Sequence, residues 1–301
     1  MSSLVVLSNE KGFNLARRTA YLLNAEFAVV EQKTFPDGEL YLRIPLDVRG
    51  KMVVPVWSIK EEINNDLISL MLVLDTLWDL GAKKVISVLP YMPYARQDSR
   101  FKDGEALSIV TIAKLLRAVH SDYVVTVDMH LHRIGDPRFV FGEKIINISG
   151  VDAIADYIKN RHPQLGDKAI VVGPDEESEQ WASRLGMLLS LKWVVLEKER
   201  YSAEEVEVKL RESMPREAEK AIIIDDIIST GGTIESTVNL IRKLGLNEIY
   251  VYCTHPVLSA SGLYKIASLG LADYACTNTL PSPISTIDVS GVLASSIKNL
   301  A

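Results

Sequence analysis

Cysteine is scarce in this sequence, which contains Cys253 and Cys276 in 301 residues. Two cysteines this far apart provide neither the several disulfides that staple a small secreted domain nor the close spacing of a zinc site. Both lie in apolar segments of the kind that form strands. We therefore expect two buried free thiols and a protein of the reducing cytoplasm.

An excess of basic residues is also missing, since 33 lysines and arginines stand against 39 aspartates and glutamates, giving a net charge of -6. Without a basic field we expect no nucleic-acid partner, and any phosphate must be bound by a local site. The sequence has no apolar run long enough to span a bilayer, and MSSLVVLSNEKG lacks the basic and long apolar regions of a signal peptide. We therefore expect no membrane association and a cytoplasmic location.

The two halves of the chain repeat one order of elements, and the length allows about two domains. Strands that alternate with helices indicate parallel α/β units. We predict an α/β fold of two tandem duplicated domains, 1–149 and 150–301, each with a central, mainly parallel sheet flanked by helices. The matching segments are 5–9 with 171–175, 51–57 with 220–224, 85–89 with 249–253, and 121–124 with 272–275.

A phosphate-binding loop is predicted in the segment AIIIDDIISTGGTI at 221–234. The segment begins with an alanine and three isoleucines, and apolar and polar residues do not alternate there. This pattern predicts a strand that is buried on both faces of a parallel sheet. Asp225 and Asp226 then come at the carboxyl end of this strand, where open α/β sheets bind ligands. These acids suit the two hydroxyls of a ribose, or a Mg²⁺ ion. The hydroxyls and backbone N–H groups that follow, just before a helix predicted from about Ile234, suit a phosphate: Ser229, Thr230, Gly231, Gly232 and Thr233.

An ordinary capped turn is the alternative for this segment, because Asp, Ser and Thr are common N-caps and Gly-Gly is a common loop. The acids, hydroxyls and glycines occur together at one strand end, and this favours a site. The ATP P-loop has a lysine after its last glycine, where this chain has Thr233. The segment therefore predicts a site for a phosphorylated sugar. The matching turn of the first half reads SIKEEINND, so we expect that half to have lost the loop.

Two polar segments follow strand-like runs in the first half. In PYMPYARQDSRFKDGE at 90–105, Arg96 can fork onto phosphate oxygens and Gln97 can bond a base or phosphate, although a solvated loop has the same composition. In VVTVDMHLHR at 124–133, Asp128, His130 and His132 alternate and so point to one side, as at a metal or phosphate site. Histidine usually selects transition metals over Mg²⁺, so the residues alone favour a core or capping histidine.

A hairpin is predicted in TFPDGELYLRI at 34–44, where Asp37-Gly38 is a turn signal between strand-like flanks. Nothing else in this segment, taken alone, points to a ligand.

Residues 225–233 resemble the phosphoribosyl-pyrophosphate (PRPP) motif shared by type I phosphoribosyltransferases and PRPP synthetases. Nearly the whole chain is similar to the PRPP synthetase (ribose-phosphate pyrophosphokinase) family, especially to its archaeal members. A phosphoribosyltransferase would share only the 225–233 loop. The similarity is carried by FPDGE at 35–39, YARQD at 94–98, VDMH at 127–130, GPD at 173–175, Lys198 with Arg200, the 225–233 loop and THPVLS at 254–259.

The resemblance implies two type I phosphoribosyltransferase-like domains and a Mg²⁺-dependent reaction for nucleotide biosynthesis. In that reaction the diphosphoryl group of ATP moves to the C1 hydroxyl of ribose 5-phosphate, giving PRPP and AMP. Lys198 would be the main transition-state contact and Arg200 would assist, in a loop after a strand at 193–196 that closes over the triphosphate. The family also implies a homodimer or higher homo-oligomer in which a neighbouring subunit supplies part of the adenine site.

The remaining roles implied by the resemblance fall into three sets. The ATP-binding set is Phe35, Asp37, Gly38, Glu39, Arg96, Gln97 and Asp98. The ribose 5-phosphate set is Asp225, Asp226, Ser229, Thr230, Gly231, Gly232 and Thr233, and the metal set is His130, Asp175 and Asp128.

One feature departs from the family pattern: Glu176, Glu177 and Ser178 follow Asp175 where small residues are usual. The two carboxylates would repel anions or attract metal unless they turn to solvent. Two other functions remain open at this point. One is a catalytically silent, regulatory homologue of the synthetase, and the other is a phosphoribosyltransferase that consumes PRPP.

Overall fold

The computed structural model describes residues 3–166, 168–200, 206–210 and 217–300, with the backbone alone for 198–200 and 206–210. Within these residues the chain forms two compact units. The first comprises residues 3–149, Thr279–Pro281 and residues 288–300, and the second comprises Gly150–Asn278 and Ser282–Ile287.

The first unit is built on a sheet of six strands in the order β2-β1-β5-β6-β7-β8, with every neighbouring pair parallel. Its inner strands are apolar and buried on both faces, as a parallel sheet between helices requires. Strands β3 and β4 form a separate antiparallel hairpin. The elements are β1 (Leu4–Ser8), α1 (Phe13–Leu23), β2 (Glu26–Val29), β3 (Glu31–Thr34), β4 (Leu40–Arg43), β5 (Met52–Val56), α2 (Ile63–Asp79), β6 (Lys84–Leu89), α3 (Ser108–Ala118), β7 (Tyr123–Val127), α4 (Arg138–Phe141) and β8 (Ile145–Ile148).

The second unit contains a sheet of seven strands in the order β11-β10-β9-β12-β13-β14-β15, parallel except for the pair β10 and β11. Separate apolar clusters cover its two faces. The elements are α5 (Val151–Arg161), β9 (Ala169–Gly173), α6 (Glu179–Leu189), β10 (Lys192–Arg200), β11 (Val206–Leu210), β12 (Lys220–Ile228), α7 (Gly232–Lys243), β13 (Glu248–Pro256), α8 (Ala260–Ser268), β14 (Asp273–Thr277) and β15 (Ser285–Ile287).

The two sheets have the same topology. Matching β2, β1, β5, β6, β7 and β8 with β10, β9, β12, β13, β14 and β15 preserves the strand order and the parallel pairing. Gly81 and Gly245 end matching helices with φ of +81° and +94°, the left-handed conformation that favours glycine at a helix end. The predicted α/β fold with two duplicated sheets is confirmed.

The last helix, α9 (Ser290–Lys298), packs on α1 in the first unit, although it follows the last strand of the second sheet. It buries Leu293, Ala294 and Ile297, the apolar face that the helix must cover. Residues 288–300 thus group with the first unit, whereas the predicted second domain includes them. As limits of independently folding domains, 1–149 and 150–301 stay a prediction.

Cys253 and Cys276 lie side by side on β13 and β14, and both are free and buried as predicted. Burial raises the pKa of the Cys253 thiol well above its usual value, which leaves little reactive thiolate. None of the helices in the described part of the chain has the length and apolar character needed to cross a bilayer.

Candidate functional site

Strand β12 carries the two acids of the predicted sugar-phosphate site further from its end than the sequence suggested. The strand continues through Ile228 because β13 pairs with it to Pro256, although β9 ends at Gly173. Asp225 and Asp226 therefore lie within β12, and consecutive residues of a strand point to opposite faces. Asp226 is buried and Asp225 is half-buried, with its Oδ1 accepting the Asp226 backbone N–H at 3.0 Å.

The turn from β12 to α7 has the features that a phosphate requires. Gly231 has φ of +74° and precedes the first turn of α7, so no side chain caps that helix. Thr230 is exposed, and Ser229, Gly232 and Thr233 are half-buried. Hydroxyls and the N-terminal N–H groups of a twelve-residue helix are thus brought together beside Asp225. The structure brings these predicted residues into one turn.

Asp175 follows β9 in the same unit and is half-buried. The buried Ser178 hydroxyl donates to the Asp175 carbonyl and accepts the Asp175 backbone N–H at 3.3 Å, which fixes the turn. Glu176 and Glu177 are both exposed.

Lys198 and Arg200 lie in a strand, not in the loop that the sequence predicted. Strand β10 runs to Arg200, and its last residues pair antiparallel with β11, Lys198 opposite Val208 and Arg200 opposite Val206. The polar sequence LEKER concealed this strand because it lacks an apolar alternation. The side chains of Lys198 and Arg200, and the segment 201–205 of the predicted closing loop, lie outside the described residues.

In the first unit, side chains of the protein bond the backbone of the turn that corresponds to the phosphate loop. The buried Asn9 amide bonds both the backbone N–H and the carbonyl of Ser58, at 3.2 and 2.7 Å. The Lys11 ammonium lies 2.8 and 2.9 Å from the Asp66 carboxylate oxygens and 2.9 Å from the Lys60 carbonyl. An internal carboxylate thus neutralises the cation at this turn. This agrees with the loss of the loop that the sequence predicted.

The Lys11–Asp66 ion pair provides a test of this arrangement. Replacing Lys11 with methionine should lower the free energy of unfolding by about 2–3 kcal/mol at neutral pH, because it leaves a nearly buried carboxylate without its cation. Chemical denaturation would measure the loss. Lys114→Met, at an exposed position on α3, is the matched control and should change stability by less than about 0.5 kcal/mol.

The same variant should respond to pH in a defined direction. Burial raises the pKa of Asp66, and Lys11 lowers it in part. A raised folded pKa means that the cost of ionising Asp66 is present at neutral pH and is relieved as pH falls through that pKa. The difference in unfolding free energy between wild type and Lys11→Met should therefore narrow as the pH falls from neutral through the raised pKa of Asp66. If the difference in unfolding free energy stayed constant with pH, the charge of Asp66 would not be the cause of the lost stability.

The predicted ATP segment at 94–98 divides into accessible and buried residues. Tyr94 has φ of +63° and opens a tight turn closed by the Gln97 N–H on the Tyr94 carbonyl at 3.2 Å. Arg96 is exposed and Gln97 is half-buried, as ligand contacts require. Asp98 is buried, and its Oδ2 accepts the backbone N–H of Arg133 at 2.8 Å. The segment is thus connected to the chain that follows β7.

The predicted alternation of Asp128, His130 and His132 does not belong to a strand, because β7 ends at Val127 and Asp128 has φ of +33°. The two histidines nevertheless lie together, with His130 Nδ1 3.0 Å from His132 Nε2. Met129 and Leu131 point into the core and turn the histidines away from it. Asp128 is buried. Asp128 and the histidines belong to the first unit and Asp175 to the second.

The predicted hairpin at 34–44 is confirmed as β3 and β4. Its turn is closed by the Phe35 N–H on the Glu39 carbonyl at 2.8 Å, and Gly38 has φ of +95°. The four hairpin residues of the predicted ATP-binding set, Phe35, Asp37, Gly38 and Glu39, are all exposed, with Phe35 at 49%.

Gly262 is a residue near the site that the sequence reasoning missed. A Cβ at this position would lie 2.1 Å from the Ser229 carbonyl oxygen, so the start of α8 and the phosphate loop approach closely here. Ser259 caps α8 by accepting the Gly262 N–H at 3.1 Å. The pair Ser259 and Gly262, spaced as a helix N-cap and its third residue, is the signal that could have identified this position.

Comparisons with known proteins agree with the predicted family. Residues 4–119 match the family model described as the N-terminal domain of ribose phosphate pyrophosphokinase, and residues 146–288 match the phosphoribosyl transferase domain. A ribose-phosphate pyrophosphokinase of Methanopyrus kandleri is 33% identical over 298 residues, covering 99% of this chain and 100% of that protein. Its counterpart in Methanothermobacter thermautotrophicus is 35% identical, covering 95% of this chain and 96% of that protein.

A solved structure gives the same result. The phosphoribosylpyrophosphate synthetase from Mycobacterium smegmatis is 25% identical and superimposes with a TM-score of 0.86, covering 99% of each chain. The duplicated parallel sheets, the two matching family models and the full-length similarity point to one family. This chain therefore belongs to the ribose-phosphate pyrophosphokinase family.

Proposed function

We propose that this chain transfers the diphosphoryl group of ATP to the C1 hydroxyl of ribose 5-phosphate in a Mg²⁺-dependent reaction, giving PRPP and AMP. The observation that supports this most directly is the difference between the two copies of one turn. In the second unit the turn combines hydroxyls with a helix N-terminus, and in the first unit Asn9 bonds the turn and Asp66 neutralises the Lys11 ammonium.

Ribose 5-phosphate would bind at the turn from β12 to α7, with its phosphate on the hydroxyls and N–H groups of Ser229 to Thr233. Asp225, which is half-buried, would accept a hydrogen bond from a ribose hydroxyl. Asp226 is buried and on the opposite face, so its contribution to ribose would be through the backbone geometry of β12. The turn thus fixes the acceptor sugar at one end.

ATP would bind to the first unit through Arg96, which is exposed, and Gln97, which is half-buried. The hairpin residues Phe35, Asp37, Gly38 and Glu39 project into solvent, and we propose that they complete the adenine site of a neighbouring subunit. A homodimer or larger homo-oligomer would then be the active form. The exposed Phe35 ring would be buried in that assembly, which favours its formation.

The donor atoms near β7 and β9 are compatible with Mg²⁺ in a nucleotide complex. Mg²⁺ is usually held by one or two carboxylates together with substrate phosphates, and Asp128 and Asp175 supply carboxylates. We propose that His130 also contributes a metal ligand in the first unit, as the family resemblance implies. When bound, the ion would neutralise charge on the phosphates. Lys198 and Arg200 would add positive charge where the transferred group gains negative charge.

One assay tests this proposal against its alternatives. Incubated with Mg²⁺, ATP and ribose 5-phosphate, the purified protein should produce AMP and PRPP in equal amounts, measured by chromatography. No AMP over a range of phosphate and salt concentrations would contradict the proposal and favour a silent homologue. Consumption of PRPP in the presence of nucleobases, without AMP formation from ATP, would favour a phosphoribosyltransferase.

A further inference from the structure

Asp98 differs from its neighbours in the predicted ATP segment because it faces the protein. Its side chain is 2% exposed, whereas Arg96 is exposed and Gln97 is half-buried. A carboxylate so deeply buried requires partners, because removal from water disfavours its charge. The contacts of the Asp98 carboxylate therefore indicate the role of this residue.

Within the described residues, the Asp98 carboxylate contacts one short stretch of chain. Oδ2 accepts the backbone N–H of Arg133 at 2.8 Å and, more weakly, that of Ile134 at 3.4 Å. Oδ1 lies 3.6 Å from Arg133 Nη1 and has no hydrogen-bond donor within the described residues. Hydrogen bonds from backbone N–H groups to a charged acceptor are among the stronger ones, so Asp98 fixes the backbone at 133–134.

That stretch directly follows the two adjacent histidines. On their other side, the Met129 N–H donates to the Asn147 side-chain oxygen at 2.9 Å, and the Asp128 N–H donates to the Ile148 carbonyl at 2.8 Å. Strand β8 thus holds the beginning of the histidine segment and Asp98 holds its end. The position of the His130 ring depends on both anchors.

A second contact connects the same two segments. The Arg133 guanidinium lies 4.7 Å from the centre of the Phe101 ring, in the geometry of a cation–π interaction. Asp98 and Phe101 belong to the segment that contains Arg96 and Gln97, so the proposed ATP segment and the proposed metal segment are joined at two points. A displacement of one segment should displace the other.

We infer that Asp98 is a positioning residue that holds His130 and His132 in place through the backbone of Arg133 and Ile134, and does not contact ATP. This inference deepens the proposed function and rests on it for the roles of Arg96, Gln97 and His130. Partners of this kind, one step removed from a metal, typically alter metal affinity or activity by about 10- to 100-fold when mutated.

The experiment compares Asp98→Ala and Asp98→Asn with Asp103→Asn, a matched control at an exposed position in the same segment. Three quantities are measured on the full-length protein. They are the Mg²⁺ concentration for half-maximal activity, the Kd for ATP without metal, and the ring ¹³C–¹H resonances of the histidines at one fixed pH. The chain has five histidines, so single His→Gln variants assign every resonance.

Asp98→Ala should shift the His130 and His132 resonances and raise the Mg²⁺ requirement about tenfold, with the metal-free Kd for ATP within about threefold of wild type. Asp98→Asn should have smaller effects, because its amide oxygen can still accept the Arg133 N–H. Asp103→Asn should match wild type in all three quantities.

Two results would overturn the inference. One is that the His130 and His132 resonances do not change. The other is that the metal-free Kd for ATP rises tenfold while these resonances stay in place, which would make Asp98 a ligand contact. His162 and His255 in the second unit report on folding. If the His162 and His255 resonances also shift in Asp98→Ala, that variant has a general folding defect. Asp98→Asn is then judged by the same criteria in its place. If the wild-type protein forms no AMP, the resonances and the Kd for ATP still decide the role of Asp98, so the two failures are distinguishable.

Discussion

Replacing Lys198 with alanine should lower kcat by about three orders of magnitude and leave the KM for ATP within about threefold. The proposed reaction involves little covalent chemistry by the protein, so its rate depends on position and on positive charge where the transition state gains negative charge. Removing one preorganised group of this kind typically costs about 10² to 10³ in kcat. Steady-state kinetics with saturating Mg²⁺ and ribose 5-phosphate would measure both constants.

A matched control is available in the same strand. Lys192 begins β10, and its exposed ammonium pairs with Glu217 at 2.5 Å. Lys192→Ala makes the same chemical change and should alter kcat by less than about twofold, because an exposed ion pair contributes little. An unchanged kcat in Lys198→Ala would remove this lysine from the proposed mechanism. A large rise in KM with normal kcat would instead make it a ground-state contact with ATP.

The parts of the fold that the sequence predicted correctly are those decided by local patterns. Continuous β-branched runs identified the buried parallel strands, such as the beginning of β12. Asp37-Gly38 identified the turn of the β3–β4 hairpin. In each case the backbone conformation is set by residues a few positions apart, so it can be predicted without knowing the rest of the fold.

The structure departs from what local patterns indicate where a distant segment decides the outcome. Strand β12 extends past Asp226 because β13 continues beside it, and β10 extends through polar residues because β11 pairs with it. Helix α9 follows a strand of the second unit but groups with the first unit, because its apolar face packs on α1 there. Pairing and docking of this kind depend on contacts between residues far apart in sequence, and periodicity does not contain that information.

The candidate site shows the same division. The residue types and their order predicted a phosphate site in one continuous segment, Ser229 to Thr233, and the fold keeps these residues in one turn. The role of Asp98 could not be assigned from its place beside Arg96 and Gln97, because its partners lie 35 and 36 residues away. Proximity in a motif therefore grouped together residues that the fold separates into exposed and buried positions.

Gly262→Ala should lower kcat/KM for ribose 5-phosphate by about 100-fold, although Gly262 has no side chain to contact a ligand. The new Cβ would lie 2.1 Å from the Ser229 carbonyl oxygen and 3.2 Å from the carbonyl carbon, so the backbone of the phosphate turn must move. The Ser259 N–H also donates to that oxygen at 3.4 Å, and this bond would be disturbed. A displacement of about 1 Å at a binding site can cost about 10² in rate.

Gly291→Ala is the matched control, because a Cβ at Gly291 in α9 meets nothing within 4 Å. This variant should keep wild-type kinetics and gain up to about 1 kcal/mol in stability, as alanine does in place of glycine within a helix. The metal-free Kd for ATP separates local from general damage. It should stay within about threefold in Gly262→Ala, because the proposed ATP contacts lie in the first unit. A normal kcat/KM for ribose 5-phosphate would mean that the turn tolerates the shift and that Gly262 does not position it.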